Sequence, residues 1–191
     1  MGVMDDAERV EPREVGEWAD WLSAHHADTR GAWLVTPRSR SGRVSVDYES
    51  AVVEALRFGW VDSTTRTLDD ERAMMWFSPR NPRSGWASSN KRRVERLRAE
   101  GRMEPAGEAA IRVAQENGSW SMLDDVERLV VPADLATALE EQGARARWDA
   151  ATPSSRRMAL TWLVQARRPE TRARRVAQLA DRAASGQPLV R

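Results

Sequence analysis

The sequence predicts an α+β protein with a small antiparallel sheet of about three strands in a mixed N-terminal half, followed by an all-helical C-terminal half. Three observations support this class. Short runs rich in β-branched and aromatic residues end by residue 78. Prolines and glycines then alternate at the spacing of helix starts and helix ends. The chain has 191 residues, enough to bury a core without disulfides or a metal.

The first predicted elements are a helix over residues 12–26 and a strand over residues 31–37. Apolar residues recur on one face of the helix, and the strand is a short apolar run closed by a proline. Residues 39–43, Ser-Arg-Ser-Gly-Arg, are predicted to form a loop. Asp47 is placed to cap a second helix over residues 48–58.

A β-hairpin is predicted from two β-rich runs, residues 60–68 and 73–78, although the acidic turn between them has no glycine. A basic helix then begins at Ser84 or Ser88 and ends at Gly101. The sheet is therefore expected to combine this hairpin with the preceding strand.

The rest of the chain is predicted to be helical, with segments opened by Pro105, Pro132, Pro153 and Pro169. We therefore divide the chain into an α+β portion, residues 1–103, which holds the hairpin and the basic loop and helix, and a helical portion, residues 104–191. We expect the two portions to pack as one unit.

Composition excludes several kinds of chemistry. The chain has no cysteine, so disulfides, thiolate nucleophiles and cysteine-bound zinc are excluded. Neither phosphate-binding glycine motifs nor metal-ligand motifs are present, so we expect no cofactor and no metal. The acidic N-terminus does not resemble a signal peptide, and no apolar run approaches the roughly 20 residues of a membrane span. We expect a cytoplasmic protein without membrane insertion.

Charge is segregated along the chain, although the net charge is only +1. Residues 1–75 carry a net charge of −6, residues 76–102 carry +6, residues 103–151 carry −6 and residues 152–191 carry +7. Two interpretations remain open. The basic blocks serve an anionic partner, or the four blocks neutralise one another within the fold.

The basic segment over residues 78–96 is the main candidate binding site. A helix N-terminus has unsatisfied N–H groups and the positive end of a dipole, and cationic residues surround this predicted helix start. A second block, residues 167–175, repeats the arrangement. The candidate anion-binding or ligand-binding residues are Arg80, Arg83, Ser84, Trp86, Asn90, Lys91, Arg168 and Arg172.

Trp86 has two possible roles. It lies between a Ser-Gly pair and the basic helix, where its ring could stack on a ligand, a base or an arginine. It could instead serve as a hydrophobic staple at the helix start, and we favour this structural role.

Asp62 and Asp70 are weak catalytic candidates. Both belong to the predicted hairpin, where two carboxylates could converge for acid–base catalysis. Acidic residues in turns are usually only solvated, so we do not assign a catalytic residue.

Three long segments resemble one family. They read "EALRFGWVDS" (54–63), "DDERAMMWFSPRNPRSGWASSNKRRVERLRAEGRMEPAGEAAI" (69–111) and "RWDAATPSSRRMALTWLVQARRPETRARRVAQLADRAASG" (147–186). Together they are similar to the YdeI/OmpD-associated proteins, also called bacteriocin-protection proteins. The segments overlap both basic blocks.

The resemblance implies a role in tolerance of antimicrobial peptides and other stress, and it supplies no catalytic residues. We therefore interpret the chain as a binding protein rather than an enzyme. It would bind a toxic small molecule, an antimicrobial peptide or an anionic partner through the basic segment. The alternative is a nucleic-acid-binding protein whose two arginine-rich helices contact phosphates.

Overall fold

The computed structural model describes residues 4–38 and 46–190, so the predicted loop at 39–43 lies outside the described residues. The α+β class is confirmed. Among the described residues the chain forms nine helices and one four-stranded sheet. The chain divides into two compact units. Unit 1 comprises Met1–Ser84 and Ser89–Gly118, and unit 2 comprises Gly85–Ser88 and Ser119–Arg191.

Unit 1 contains a mixed sheet in the order β1-β2-β4-β3. Its strands are β1 (Arg9–Val10), β2 (Ala32–Pro37), β3 (Trp60–Thr67) and β4 (Arg72–Pro79). The predicted strand and hairpin are confirmed as antiparallel neighbours. The expectation of about three strands missed β1, which pairs with β2 in parallel and is only two residues long.

Four helices complete unit 1: α1 (Val15–His25), α2 (Tyr48–Arg57), α3 (Ser88–Ala99, of which Ser88 belongs to unit 2) and α4 (Pro105–Glu116). Asp47 caps α2 as predicted, since its Oδ1 accepts the backbone N–H of Ser50 at 3.0 Å. The second of the two predicted serine starts is the observed beginning of α3.

The core of unit 1 packs α2 against α1 and against the sheet. Trp18 on α1 is fully buried, donates its indole N–H to the carbonyl oxygen of Ala51 at 3.2 Å, and packs 5.3 Å from the Phe77 ring. Gly107 brings α4 against the end of α2, because a Cβ at this position would lie 2.2 Å from the carbonyl oxygen of Arg57. These contacts hold α2 against α1 and α4.

Unit 2 is helical in its described residues after 119, with α5 (Asp124–Glu127), α6 (Ala133–Glu141), α7 (Arg145–Ala150), α8 (Pro153–Val164) and α9 (Pro169–Ala184). Its buried cluster includes Leu135, Leu139, Trp148, Leu160, Leu163 and Leu179. Helix α4 belongs to unit 1, whereas the sequence analysis placed its residues in the helical portion that begins at residue 104. None of the helices in the described part of the chain has both the length and the apolar character needed to cross a bilayer.

Candidate functional site

The predicted basic loop after β4 is a turn built around Asn81. The Asn81 carbonyl oxygen accepts the backbone N–H of Ser84 at 3.0 Å, and its side-chain oxygen accepts the backbone N–H of Arg83 at 2.9 Å. Arg80 donates its backbone N–H to Gly59 at 3.0 Å. Burial lowers the pKa of Arg80 to about 10, while the nearby charge of Asp62 acts in the opposite direction. Arg80 therefore remains a cation at neutral pH.

Trp86 does not present its ring to a ligand. Its side chain is 1% exposed, and its ring centroid lies 5.0 Å from that of Trp120 within unit 2. Its backbone N–H also donates to the carbonyl oxygen of Ser119 at 3.3 Å. The ring is enclosed by the chain itself, so it does not stack on an external ligand in this structure.

The N-terminus of α3 was a predicted anion site, and it already holds a carboxylate of the same chain. The backbone N–H of Ser88, the first residue of α3, donates to Oε1 of Glu127 at 2.7 Å. A carboxylate at a helix N-terminus is favoured by the dipole and satisfies an N–H group that the helix leaves unbonded. An external anion would have to displace this carboxylate from the Ser88 N–H.

Cationic groups do converge one turn further along α3. A cavity of about 430 Å³ in unit 1 is lined by Ser89, Arg92, Arg93 and Arg96 from α3 and by Glu49 from the first turn of α2. The four α3 residues are spaced by three and four positions, so they share one helix face. We call this site the α3 cavity. Three arginines against one glutamate give its lining a formal charge of +2.

Glu49 orients two of these arginines. Nε of Arg93 donates to both carboxylate oxygens of Glu49 at 3.1 Å, and Nη2 donates to Oε2 at 2.5 Å. Nη2 of Arg96 lies 3.4 Å from Oε1 of the same carboxylate. Asn90 accepts from Nη1 of Arg93 at 2.7 Å. The side chain of Arg93 is consequently 16% exposed, whereas that of Arg96 is 51% exposed.

The electrostatics of the pair are consistent with two charged partners. Hydrogen bonding to Arg93 lowers the pKa of Glu49, and the same contact raises the pKa of Arg93. Glu49 thus neutralises part of the positive charge at the floor of the α3 cavity while leaving its formal charge positive.

Asp62 and Asp70 do not converge. Asp62 lies near the start of β3, whereas Asp70 lies in the turn beyond its end, so about 17 Å of strand separates them. Oδ2 of Asp62 instead accepts the hydroxyl of Tyr48 at 3.0 Å. Burial raises the pKa of Tyr48, and the charge of Asp62 raises it further. The predicted carboxylate pair is therefore corrected, because the hairpin holds its two members apart.

The second basic block is partly neutralised within unit 2. Arg172 contacts both oxygens of Asp134, with Nε at 2.6 Å from Oδ2 and Nη2 at 3.0 Å from Oδ1. This contact lowers the pKa of Asp134. Arg168 is exposed just before α9, where its carbonyl oxygen accepts the backbone N–H of Arg172. Lys91 lies half-buried on α3 and is not among the residues that line the α3 cavity.

The structure thus brings together a set that differs from the predicted one. Asn90 is a named candidate that directly supports the α3 cavity. The α3 lining residues lie within the predicted basic segment but were not among the named site residues, and Glu49 lies outside that segment. The spacing of the four α3 residues is a local signal that could have identified them. Glu49 has no such signal, because it lies 44 positions from Arg93.

These features define an α+β unit with a basic cavity, in a chain that also has a helical unit. Comparison with protein-family models also divides the chain into two segments. Residues 128–186 match the family model described as "Bacteriocin-protection, YdeI or OmpD-Associated", which confirms the resemblance for this segment. Residues 10–110, more than half of the chain, match the model described as "Domain of unknown function (DUF8412)", and the chain belongs to that family. No curated protein and no solved structure matches the chain.

Proposed function

We propose that this chain is a non-catalytic protection protein of the YdeI/OmpD-associated type that binds a small ligand carrying phosphate or carboxylate groups. The observation that carries the proposal is the convergence of three arginines on the α3 cavity opposite a single carboxylate. The bacteriocin-protection description of the model matched by residues 128–186 supports the protective role.

The side chains of the α3 cavity suit an oxyanion. A guanidinium group presents several N–H donors in one plane, which matches the paired oxygens of a carboxylate or phosphate. Arg93 is already held in place by Glu49 and Asn90, so little further ordering is needed when a ligand binds. Arg96 is half-exposed and can reach an entering ligand. The cavity volume of about 430 Å³ is within the range of small-molecule sites.

Two observations favour a small oxyanion over a nucleic acid. Arg98, on another face of α3, already pairs with Glu108 through contacts of 2.8 Å and 2.6 Å, and Arg172 pairs with Asp134. The two arginine-rich helices therefore present interrupted positive charge, whereas a phosphate backbone is bound best by an uninterrupted basic surface. Three of the four arginines of α3 line one cavity.

The binding test uses inorganic pyrophosphate and citrate as probes, measured by isothermal titration calorimetry. We expect both to bind the full chain and the double variant Arg92→Ala/Arg96→Ala to bind about tenfold more weakly or worse, since two charge-assisted contacts are lost. Arg112→Ala is the matched control, because Arg112 is exposed on α4 and does not line the α3 cavity. Equal binding by the double variant would contradict the proposed site.

A duplex oligonucleotide provides the comparison with the alternative function. Neutralising several phosphates makes affinity fall by about 0.9 log units per contact for each log unit of salt. Duplex binding that is tighter than pyrophosphate binding and shows such a slope would favour the nucleic-acid function instead.

Protection is tested separately, by survival of bacteriocin-treated cells that express either the wild-type chain or the double variant. Equal survival would show that the α3 cavity does not contribute to protection.

A further inference from the structure

One face of α8 in unit 2 is an open surface groove. Ser154, Arg157, Met158, Thr161, Trp162 and Gln165 line a cavity of about 460 Å³. All six lie on α8 or at its C-terminal cap, at successive spacings of three, one, three, one and three positions. This spacing is that of a single helix face. Since one helix supplies all of these residues, the cavity is open along the helix rather than enclosed.

A second cavity, of about 430 Å³, continues this surface. It shares Met158 and Trp162 with the first, and its other described lining residues are Gln178 and Arg182 on α9 with Leu189 and Val190 near the C-terminus. The two cavities therefore form one elongated depression, bounded by α8 on one side and by α9 and the C-terminal segment on the other. We call it the α8 groove.

The floor of the α8 groove is apolar. Met158 is 54% exposed, although α8 buries Ala159, Leu160 and Leu163 in the unit 2 core. Trp162 is only partly buried beside it. Methionine is flexible and polarisable, and surfaces that bind varied helical peptides use it often. An exposed methionine next to a tryptophan is thus suited to receive apolar side chains from outside.

The rim of the α8 groove is basic. Arg157 and Arg182 line it, and the guanidinium carbon of Arg175 lies 4.7 Å from the centroid of the Trp162 ring. Arg175 donates to the carbonyl oxygen of Trp162, and Arg182 donates to that of Pro188 at 3.0 Å. Within residues 4–38 and 46–190, none of these three arginines is in an ion pair, and no described lining residue is acidic. The rim therefore retains its positive charge.

We propose that the α8 groove binds an acidic amphipathic helix of a partner protein. Residues 154–165 span about 16 Å along α8, which is three turns of a partner helix. Apolar side chains at helical spacing would pack on Met158 and Trp162, and flanking carboxylates would meet Arg157 and Arg182. A small molecule would remain largely exposed on the part of the groove that α8 alone forms. This inference does not depend on the α3 cavity, which lies in unit 1.

The test is fluorescence anisotropy with the full chain and a labelled synthetic peptide of about 14 residues, long enough to cover the groove. The peptide carries leucines at helical spacing and glutamates on the flanking positions. Two matched peptides replace every glutamate by lysine, or scramble the leucine positions. We expect saturable binding of the acidic helical peptide, with affinity at least about tenfold higher than that of either matched peptide.

Two variants locate the site. We expect Met158→Glu and Arg157→Glu each to weaken binding of the acidic peptide about tenfold or more, because each places a carboxylate where the peptide needs an apolar or cationic contact. The matched controls are Val113→Glu, at an exposed valine of unit 1, and Arg174→Glu, at an exposed arginine of α9 outside the groove. Both controls should bind like the wild type. Circular dichroism checks that all four variants are folded.

Several outcomes would overturn the proposal. It fails if the acidic peptide does not bind, if the lysine or scrambled peptide binds equally well, or if Met158→Glu and Arg157→Glu bind like their controls. Sedimentation velocity tests a second copy of the chain as the occupant. Self-association that Met158→Glu abolishes would assign the groove to that copy. Binding to phosphatidylglycerol vesicles without binding to the peptide would assign it to a lipid surface.

Discussion

Two groups of arginines in this chain differ in what surrounds them. In unit 1, the arginines around Glu54 and Glu49 donate to carboxylates that hold neighbouring helices in place. In unit 2, Arg175 and Arg182, beside the α8 groove, donate to backbone carbonyls, and Arg175 also lies over the Trp162 ring. In the first arrangement, carboxylates of the same chain balance much of the arginine charge. The second leaves the charge of the arginines at the surface of unit 2, where our proposal gives it to a partner helix.

The largest effect is expected at Glu54, which is 5% exposed and accepts hydrogen bonds from Arg57 and Arg102. Glu54→Gln keeps the shape but leaves two arginines without their shared counter-charge. We expect the free energy of unfolding to fall by no more than about 3 kcal/mol, the low end for a broken buried ion pair. The arginines are partly exposed, and each keeps a second carboxylate, Glu104 for Arg57 and Glu100 for Arg102. Urea denaturation measures this change in the free energy of unfolding.

Glu140→Gln is the matched control for this prediction, because Glu140 is an exposed glutamate of α6. It should change stability by no more than about 0.5 kcal/mol. If the two substitutions have equal effects, the arginines of unit 1 do not stabilise the fold through their carboxylates, and the comparison between the units fails.

A smaller effect is expected at Arg175, whose guanidinium group lies over the Trp162 ring. Arg175→Ala should cost about 1 kcal/mol of stability, the range of a partly exposed cation–π contact. Thermal unfolding of this variant is compared with that of Arg174→Ala, an exposed neighbour on α9. A loss of several kcal/mol at Arg175 would show that it is as deeply engaged in the fold as the arginines of unit 1.

The smallest effects are those of acid on two partly exposed ion pairs, Glu49 with Arg93 and Asp134 with Arg172. Each arginine lowers the pKa of its carboxyl partner below the ordinary value, which is 4.5 for Glu49 and 3.8 for Asp134. The folded-state pKa of each carboxyl is lower than its unfolded-state value, so each ion pair stabilises the fold fully above the ordinary pKa. This stabilisation is lost as the pH falls through the folded-state pKa. The stabilisation by both ion pairs is therefore lost only in acid, below about pH 4.5.

NMR titration of the carboxyl groups measures these values directly. We expect Arg93→Ala to return the pKa of Glu49 toward its ordinary value without affecting Asp134, and Arg172→Ala to do the converse. If either carboxyl keeps its lowered pKa after its arginine is removed, the ion pair is not the cause of the shift.

Local signals account for most of the fold that could be predicted. A proline at the first helical position and a glycine beyond the last turn located α4 and α9, and Asp47 located the start of α2. The missed elements are short. β1 has two residues, α5 has four and α7 has six, so none spans two periods of its hydrophobic pattern. β1 also depends on a parallel pairing with a strand more than 20 positions away.

The site was less predictable because long-range contacts decide which charges remain available. The cationic face of α3 is visible in the sequence, but its partner Glu49 comes from another helix. The burial of Trp86 depends on Trp120, and the occupation of the α3 N-terminus depends on Glu127. No helical or strand periodicity connects residues more than 30 positions apart, so the sequence left both interpretations of the basic blocks open.

The assignment of residues 85–88 to unit 2 has a practical consequence for dissecting the molecule. A fragment cut at residue 119 would omit the indole that covers Trp120 and the amide that binds Glu127. It would therefore expose an aromatic surface and a carboxylate that the intact polypeptide satisfies. Aggregation of such a truncated product would report the missing tetrapeptide rather than any inability of the helices to fold.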